Sequence, residues 1–415
     1  MTGHPCTTSD HDAIDALGRA SGADAGTAPG SAGPVYLDHA ATTPVRPEAL
    51  AAMAEVYRSA WANPSSVHAP GRRARALLEQ ARRQVADLLE VAPERLVFTS
   101  GGTEANNLAL LGAAGAAPAR RHVVVSAVEH HSVLDAARSL ERSGYRLSVV
   151  PPDREGRVAA AALGAALRDD TAVAALMLAN NEVGTIQPVA AAAAGAAARG
   201  VPLLVDAVAA AGKLPVHAPA LGAAFLTLSA HKLGGPQGAG ALYVAPGREL
   251  APLLHGGGQE RRWRPGTENV AAIVGFGVAA ELARRELADS AARLRTLARS
   301  LEAAILGAGC GAVATGPADP EARVPGLVSL AFPGLDGDAL LVALDLQGVA
   351  AGAGAACTSG SVLPSHVLTA MGLPGAACRA PLRLSLGPEN SDADVARVVA
   401  AVARAARRQA AVDAP

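Results

Sequence analysis

The sequence predicts an α/β fold built on a mainly parallel seven-stranded sheet with helices on both faces. Short apolar segments, typical of strands buried on both faces, occupy residues 96–98, 122–126, 146–150, 173–178, 201–205, 225–228 and 241–244. They alternate with segments of helical periodicity, such as 103–113 and 132–142. This alternation favours parallel strands joined by crossover helices.

Three segments of different composition divide the chain. Residues 1–33 are rich in small and polar residues without periodicity, which predicts a disordered extension or residues before the true start of the protein. Residues 34–267 carry the predicted strands and form a large domain. A long amphipathic helix from about residue 268 opens a smaller C-terminal α/β domain, 268–415, and we expect segment 34–50 to pack near it.

The bulk properties argue against several functions. The net charge of −1 leaves no overall positive field for nucleic acid or an anionic membrane, and no apolar segment is long enough to span a bilayer. The four cysteines, Cys6, Cys310, Cys357 and Cys378, are far apart and lack C-x-x-C spacing. We therefore expect no disulfide framework, no metal site and a reducing, cytoplasmic environment.

Lysine is almost absent from this chain. Only Lys213 and Lys232 occur, although lysine and arginine together number 36. Arginine replaces lysine in most roles, but its guanidinium stays protonated and cannot act as a base or an imine-forming nucleophile. Lys232 follows the predicted strand 225–228 and could be such an amine, or it could be a surface lysine. Lys213 has no assigned partner and stays structural or unexplained.

Two further features follow predicted strands. The segment Thr99–Glu104 places two glycines and Thr103 before a helix, which is typical of a phosphate cup and also of an ordinary helix cap. Asp206 ends an apolar strand, where it is either a turn residue or a buried acid that needs a cationic partner. An acid, a lysine and a cup at one sheet edge together predict a pyridoxal phosphate site.

At this point the chain resembles the NifS/IscS-like cysteine desulfurases of the class V aminotransferase family. The resemblance covers residues from Tyr36 to about Val399. It rests on ordered motifs at Tyr36–Pro44, Asn63–His68, Thr99–Asn107, Glu129–His131, Asn180–Gly184, Asp206–Ala207, Ser229–Lys232, Arg264–Thr267, Ala356–Ser359 and Arg383–Gly387. It implies a fold-type I pyridoxal phosphate-dependent transferase that acts as a homodimer.

The resemblance also implies a role for each matching residue. Lys232 would bind the cofactor and move the Cα proton, Asp206 would face the pyridine nitrogen, and His130 would lie against the ring. The phosphate would be held by Gly102, Thr103, Ser229 and His231, and by Thr267 from the partner subunit. Asn180 would touch the cofactor or the substrate carboxylate, and Arg383 would clamp that carboxylate.

Cys357 separates a desulfurase from an ordinary transaminase. It lies among small residues, where a thiolate could attack the sulfur of L-cysteine and carry it as a persulfide to an acceptor protein, such as an iron–sulfur scaffold or a tRNA thiolation enzyme. The other three cysteines are interpreted as incidental. The alternatives are a selenocysteine lyase or another class V lyase or aminotransferase, and a catalytically weakened sulfur-relay or scaffold protein.

The chain departs from the family pattern at Ala209. The family usually has glutamine here, three residues after the strand aspartate, where it donates to the cofactor's phenolic oxygen. Alanine cannot replace that hydrogen bond, which is worth about 1.5–3 kcal/mol to a charged group. We therefore expect altered cofactor protonation, a slower enzyme or a shifted substrate preference.

Overall fold

The computed structural model describes residues 33–354 and 364–412 of the chain. The strands are β1 (Val35–Tyr36), β2 (Leu96–Thr99), β3 (His122–Ser126), β4 (Arg146–Val150), β5 (Thr171–Ala175), β6 (Leu203–Asp206), β7 (Phe225–Ser229), β8 (Gly240–Val244), β9 (Val313–Ala314), β10 (Leu327–Ala331), β11 (Val349–Ala350) and β12 (Pro381–Ser385). The predicted extension 1–33 lies, apart from residue 33, outside the described residues.

Helices alternate with these strands along the chain. They are α1 (Pro47–Ser59), α2 (Ala69–Leu89), α3 (Gly102–Ala116), α4 (His131–Arg142), α5 (Ala160–Ala166), α6 (Val189–Ala197), α7 (Val270–Gly307), α8 (Gly337–Asp345), α9 (His366–Ala370), α10 (Gly375–Arg379) and α11 (Asp392–Val412). None of the helices in the described ranges has the length and apolar character needed to span a lipid bilayer.

The central sheet has seven strands in the order β2-β8-β7-β6-β5-β3-β4. The neighbours from β4 to β7 are parallel, whereas β8 runs antiparallel to both β7 and β2. The predicted mainly parallel, seven-stranded α/β sheet is therefore confirmed. The predicted strand 173–178 ends earlier, at Ala175, because Leu176–Leu178 form a buried irregular segment whose apolar pattern resembles that of the strand.

Each face of this sheet carries its own hydrophobic core, as expected for strands whose successive side chains alternate. On β3, Val124 belongs to one core, while Val123 and Val125 belong to the other. On β6, Val205 belongs to the same core as Val124, and Leu204 belongs to the other core. Helices therefore cover both faces of the sheet.

A third core lies around the small antiparallel sheet β12-β10-β9. It includes residues of the second half of α7, such as Leu301, and Val35 and Leu37 from the start of the described chain. The same N-terminal segment pairs in parallel with β11. From Val35 onwards the chain forms one compact unit, and a boundary at residue 267 stays a prediction.

A buried ion pair joins helix α2 to a strained segment before α7. The Arg82 guanidinium donates to both Glu260 oxygens, at 2.6 and 2.9 Å, and Phe98 N donates to the same carboxylate. Glu260, Arg261 and Arg262 all have positive φ, between 37° and 67°, a conformation that is unfavourable for residues other than glycine. The ion pair compensates for this strain by fixing Glu260 against the sheet.

We predict that Arg82→Met destabilises the protein by about 3–5 kcal/mol, because it leaves a buried carboxylate without its cationic partner. Chemical denaturation would measure the free energy of unfolding. Arg138→Met, which removes an exposed ion pair to Asp135, is the matched control and should change that free energy by less than about 0.5 kcal/mol. Equal losses in the two variants would contradict the prediction.

Candidate active site

A cavity of about 380 Å³ opens where β6, β7 and the start of α3 meet. Lys232, Asp206, His130 and Arg383 line it, together with the four residues predicted to hold a phosphate, Gly102, Thr103, Ser229 and His231. Parallel α/β sheets bind ligands at this carboxyl edge. The structure therefore brings together most of the residues that the sequence singles out.

Asp206 is buried at the end of β6, and two hydrogen bonds hold its carboxylate. Its Oδ2 accepts from Asn106 Nδ2 at 2.7 Å, and its Oδ1 accepts from Val208 N at 2.9 Å. Thr227 Oγ1 donates to Asn106 Oδ1 at 2.7 Å, which fixes the orientation of the amide. The sequence does not identify Asn106 as a site residue, because nothing in it places this side chain beside Asp206.

The His130 ring is connected to the same network through Ser132. Asn106 Nδ2 also donates to Ser132 Oγ at 2.9 Å, and Ser132 Oγ lies 2.8 Å from His130 Nδ1. Ser132 N donates to the same Nδ1 at 3.1 Å, so this nitrogen accepts and a neutral ring carries its proton on Nε2. Burial lowers the pKa of His130, which favours that neutral form.

Lys232 lies in a 3-10 turn directly after β7, and its amine points to the N-terminal segment. Nζ donates to the carbonyl oxygens of Ala40 and Ala41, the second at 2.7 Å. The neighbouring His231 has a pKa lowered to about 4 by burial and by the charges of Lys232 and Lys213, so its ring is neutral at physiological pH. Residues 40–41 thus form one wall of the cavity from a distant part of the sequence.

The start of α3, which contains Gly102 and Thr103 of the predicted phosphate cup, is called the α3 cradle. No side chain caps this helix at its N-terminus. The Glu104 carboxylate instead accepts hydrogen bonds from Ser100 N and Arg264 Nε. A Cβ on Gly102 would approach Val208 Cγ2 to 2.8 Å, so this tight turn requires glycine. Ser229 Oγ is buried beside the turn and has no hydrogen-bond partner among the described residues. Free helix amides and an unpaired hydroxyl suit an anion such as phosphate.

Arg383 enters the cavity from β12. Its side chain is 2% exposed and donates to Asp38 Oδ1 at 2.7 Å, to Asn181 O at 3.0 Å and to Gly354 O at 3.1 Å. Its Nε has no partner among the described residues. The guanidinium is therefore fixed in position and retains donor capacity towards an acidic group in the cavity.

The structure places two predicted residues, Asn180 and Thr267, outside this arrangement. Asn180 does not line the cavity: its amide donates to Val128 O and accepts from Glu182 N and Val183 N, while the adjacent Asn181 lines the cavity instead. Thr267 is exposed and does not line the cavity either. Cys357 lies outside the described residues.

The second lysine, Lys213, lies behind the cavity. It is half-buried, it has no hydrogen-bond or ion-pair partner among the described residues, and burial together with the charge of Arg383 lowers its pKa to about 8. It lines two smaller cavities, one of them shared with Ala209 and Asn180. It does not line the cavity that contains Asp206.

Comparison with known proteins shows the family of the chain. The family model described as aminotransferase class-V matches residues 35–398. The chain belongs to the class V aminotransferase family. It is 45% identical over 383 residues to an IscS-like cysteine desulfurase of Mycobacterium tuberculosis, covering 90% of this chain and 97% of the relative.

Solved structures of similar proteins show that the likeness includes the fold. A NifS-like protein superposes with a TM-score of 0.84 at 34% identity, covering 89% of this chain and 98% of the other. A structure of SspA in complex with cysteine superposes with a TM-score of 0.75 at 32% identity, covering 86% and 100%. The predicted family, enzyme class and cysteine desulfurase activity are confirmed.

One more carboxyl group, that of Glu129, lies next to cavity residues His130 and Met177. Glu129 is fully buried, accepts from Ser126 Oγ at 2.6 Å and from Met177 N at 2.8 Å, and immediately precedes His130. Burial raises the pKa of its carboxyl from 4.5 to about 8. Glu129 is therefore mainly protonated at neutral pH and adds little negative charge near Asp206.

This raised pKa predicts a pH dependence of stability. The folded state binds more protons than the unfolded state between about pH 4.5 and pH 8, so Glu129 makes the free energy of unfolding fall as pH rises through that window. Glu129→Gln keeps a neutral side chain and should flatten this decline. Denaturation at several pH values would measure it, and parallel curves for variant and wild type would contradict the prediction.

Proposed function

We propose that the protein is a pyridoxal phosphate-dependent cysteine desulfurase that moves the sulfur of L-cysteine to Cys357 and then to an acceptor protein. The observation that carries this proposal is the cavity in which Lys232, Asp206 and the α3 cradle lie together. The desulfurase relatives and the SspA structure with cysteine support L-cysteine as the substrate.

The residues of the cavity fit this cofactor. The free amides at the start of α3 and the unpaired Ser229 hydroxyl would hold its phosphate, with Thr103 and the neutral His231 beside them. The buried Asp206 carboxylate would accept a hydrogen bond from the pyridine nitrogen and keep that nitrogen protonated. When bound, pyridoxal phosphate supplies an electron-withdrawing ring that makes the Cα proton of an amino acid acidic.

The chain's own residues then bind and orient the substrate. Arg383, fixed by Asp38 and two carbonyl oxygens, would bind the carboxylate of L-cysteine through its remaining N–H groups. Lys232 Nζ would take the Cα proton, and His130 would present its Nε2 proton to the cavity. Asn181 supports the substrate position better than Asn180, because Asn181 lines the cavity.

Sulfur transfer is assigned to Cys357. Its thiolate would attack the substrate sulfur, forming an S–S bond while the Cβ–S bond breaks and its electron pair remains on carbon. Cβ then takes a proton, which yields L-alanine and a persulfide on Cys357. No external oxidant or reductant is needed, because the carbon gains the two electrons that the sulfur gives up.

The proposal extends to the oligomeric state, the location, the domains and the sulfur acceptor of the protein. We infer a homodimer in which the exposed Thr267 reaches the partner's phosphate site, a cytoplasmic location, and separate large and small domains meeting at residue 267. Ala209 lines the cavity, where it offers no hydrogen bond to a cofactor oxygen. A protein acceptor, such as an iron–sulfur scaffold or a tRNA thiolation enzyme, would receive the persulfide sulfur.

The decisive variant is Cys357→Ala. We expect it to bind the cofactor and L-cysteine normally but to lose persulfide formation and sulfide and alanine release almost completely, because no thiolate accepts the sulfur. The measurement is alanine production with L-cysteine as substrate, with the visible absorbance of the cofactor as a check on binding.

Cys310→Ala is the matched control, since Cys310 is half-buried in the C-terminal part and far from the cavity residues in sequence. It should retain wild-type turnover. Full activity in Cys357→Ala would contradict the role of Cys357. A wild-type enzyme that turns over selenocysteine but not cysteine would favour a selenocysteine lyase.

A further inference from the structure

The turn that carries Lys232 is held from outside by Thr43, a residue from a distant part of the sequence. Residues 230–232 form a single 3-10 turn directly after β7. Thr43 Oγ1 donates to His231 O at 2.7 Å, across 188 positions of sequence, and accepts from Gly234 N at 2.8 Å. Thr43 N donates to the same His231 carbonyl at 2.9 Å. One residue therefore bonds the backbone on both sides of Lys232.

The same segment of chain also contacts the tip of the Lys232 side chain. Nζ donates to the carbonyl oxygens of Ala40 and Ala41. A lysine side chain is long and flexible, so fixing its backbone alone would leave the amine free to take many positions. Residues 40–43 contact both ends of this side chain, and they therefore determine where the turn lies and where the amine points.

The local sequence explains how Thr43 reaches the turn. Thr43 precedes Pro44, and the residue before a proline is restricted to extended conformations. Helix α1 accordingly begins only at Pro47. Gly234 has a φ of +81°, and a Cβ built on it would lie 2.7 Å from Arg46 Cγ, so this close approach requires glycine. Arg46 N donates to Gly234 O at 2.8 Å, which completes the contact.

Segment 40–46 is itself attached to two separate parts of the fold. At one end, Ala40 N donates to Ser385 Oγ of β12 at 2.8 Å. At the other end, the Arg46 guanidinium donates to both oxygens of Glu286 on α7, at 3.0 and 2.7 Å. The hydroxyl that lies between these two anchors is therefore positioned by the fold itself.

We propose that Thr43 is a positioning residue for Lys232, whose hydroxyl fixes the turn so that the Lys232 amine faces the reacting atoms in the cavity. The inference rests on the proposed function, because it takes Lys232 as the amine that binds pyridoxal phosphate. Thr43 does not line the cavity that contains Asp206, so it acts through Lys232 and touches neither cofactor nor substrate.

This role distinguishes the reaction of the lysine from the binding of the cofactor. The α3 cradle and Asp206 would hold the phosphate and the ring, and they belong to other elements. The His231 ring has its own partner, Thr42 Oγ1 at 3.2 Å. A reacting atom misplaced by about 1 Å can lower a rate about a hundredfold. Loss of the Thr43 hydroxyl should therefore slow the reactions of the Lys232 amine and leave noncovalent binding unchanged.

The test compares Thr43→Val, Thr43→Ala and Thr43→Ser in the full-length protein stripped of cofactor. Valine and alanine neither donate nor accept a hydrogen bond, whereas serine keeps the hydroxyl. On mixing with pyridoxal phosphate, we expect Thr43→Val and Thr43→Ala to form the covalent link to Lys232 about ten- to a hundredfold more slowly than the wild type. Visible absorbance and borohydride trapping would follow the link, and Thr43→Ser should recover most of the wild-type rate.

Deoxypyridoxine phosphate measures binding alone, because it has no aldehyde and cannot react with a lysine. Its Kd should not differ measurably between Thr43→Val and the wild type. Thr296→Val is the matched control. The exposed Thr296 Oγ1 donates to Ala292 O within α7, and its loss should change neither the rate of attachment nor this Kd.

Hydrogen–deuterium exchange gives a readout that needs no ligand. Gly234 is buried, and its amide donates to Thr43 Oγ1. In Thr43→Val this amide loses its acceptor, so a peptide covering residues 230–236 should exchange faster than in the wild type. Thr43→Ser should restore the protection, and Thr296→Val should leave it unchanged.

The outcomes separate this inference from the proposed function. A wild-type rate of attachment in Thr43→Val would overturn the role of Thr43 and leave Lys232 as the attachment site. Equal defects in Thr43→Val and Thr43→Ser would overturn it too, because the hydroxyl would then not be the cause. So would a loss of deoxypyridoxine phosphate binding as large as the loss of attachment, since Thr43 would then support the whole cavity. A wild-type protein that links pyridoxal phosphate to neither lysine would instead contradict the proposed function.

Discussion

The site depends on one buried negative charge, the Asp206 carboxylate at the end of a central strand. Burial of an ionised carboxyl is unfavourable unless hydrogen bonds stabilise it, and here Asn106 and the backbone of Val208 supply them. Thr227 fixes Asn106, so strand β7, helix α3 and strand β6 are tied together at this point. A fixed anion in a low-dielectric cavity favours a ligand with a protonated nitrogen, which is the electrostatic basis of the proposed cofactor site.

The remaining walls come from distant parts of the chain. The carbonyls of Ala40 and Ala41 orient Lys232, and Arg383 is held by Asp38 from the same N-terminal segment. This segment is itself placed by its pairing with β11 and by its side chains in the third core. The positions of the Lys232 amine and the Arg383 guanidinium therefore depend on the packing of the N-terminal segment against the C-terminal part.

Much of the sheet and part of the site can be predicted from the sequence, for physical reasons. Buried parallel strands leave continuous apolar runs, and a polar residue that ends such a run must lie at the sheet edge, so Asp206 and Lys232 were identifiable. Side-chain direction within an irregular turn follows no periodicity, and the predicted Asn180 therefore bonds its own turn while Asn181 lines the cavity. Contacts such as Ser365 to Glu182 join residues 183 positions apart, and no local pattern reveals them.

Only one of the two lysines, Lys232, carries the proposed chemistry, and labelling tests this directly. The protein loaded with pyridoxal phosphate would be reduced with borohydride, digested, and examined by mass spectrometry for phosphopyridoxyl-lysine. Lys232 lines the cavity with Asp206, whereas Lys213 lies behind it with a pKa low enough to react. We expect label on Lys232 and none above background on Lys213. Label mainly on Lys213, or on neither lysine, would contradict it.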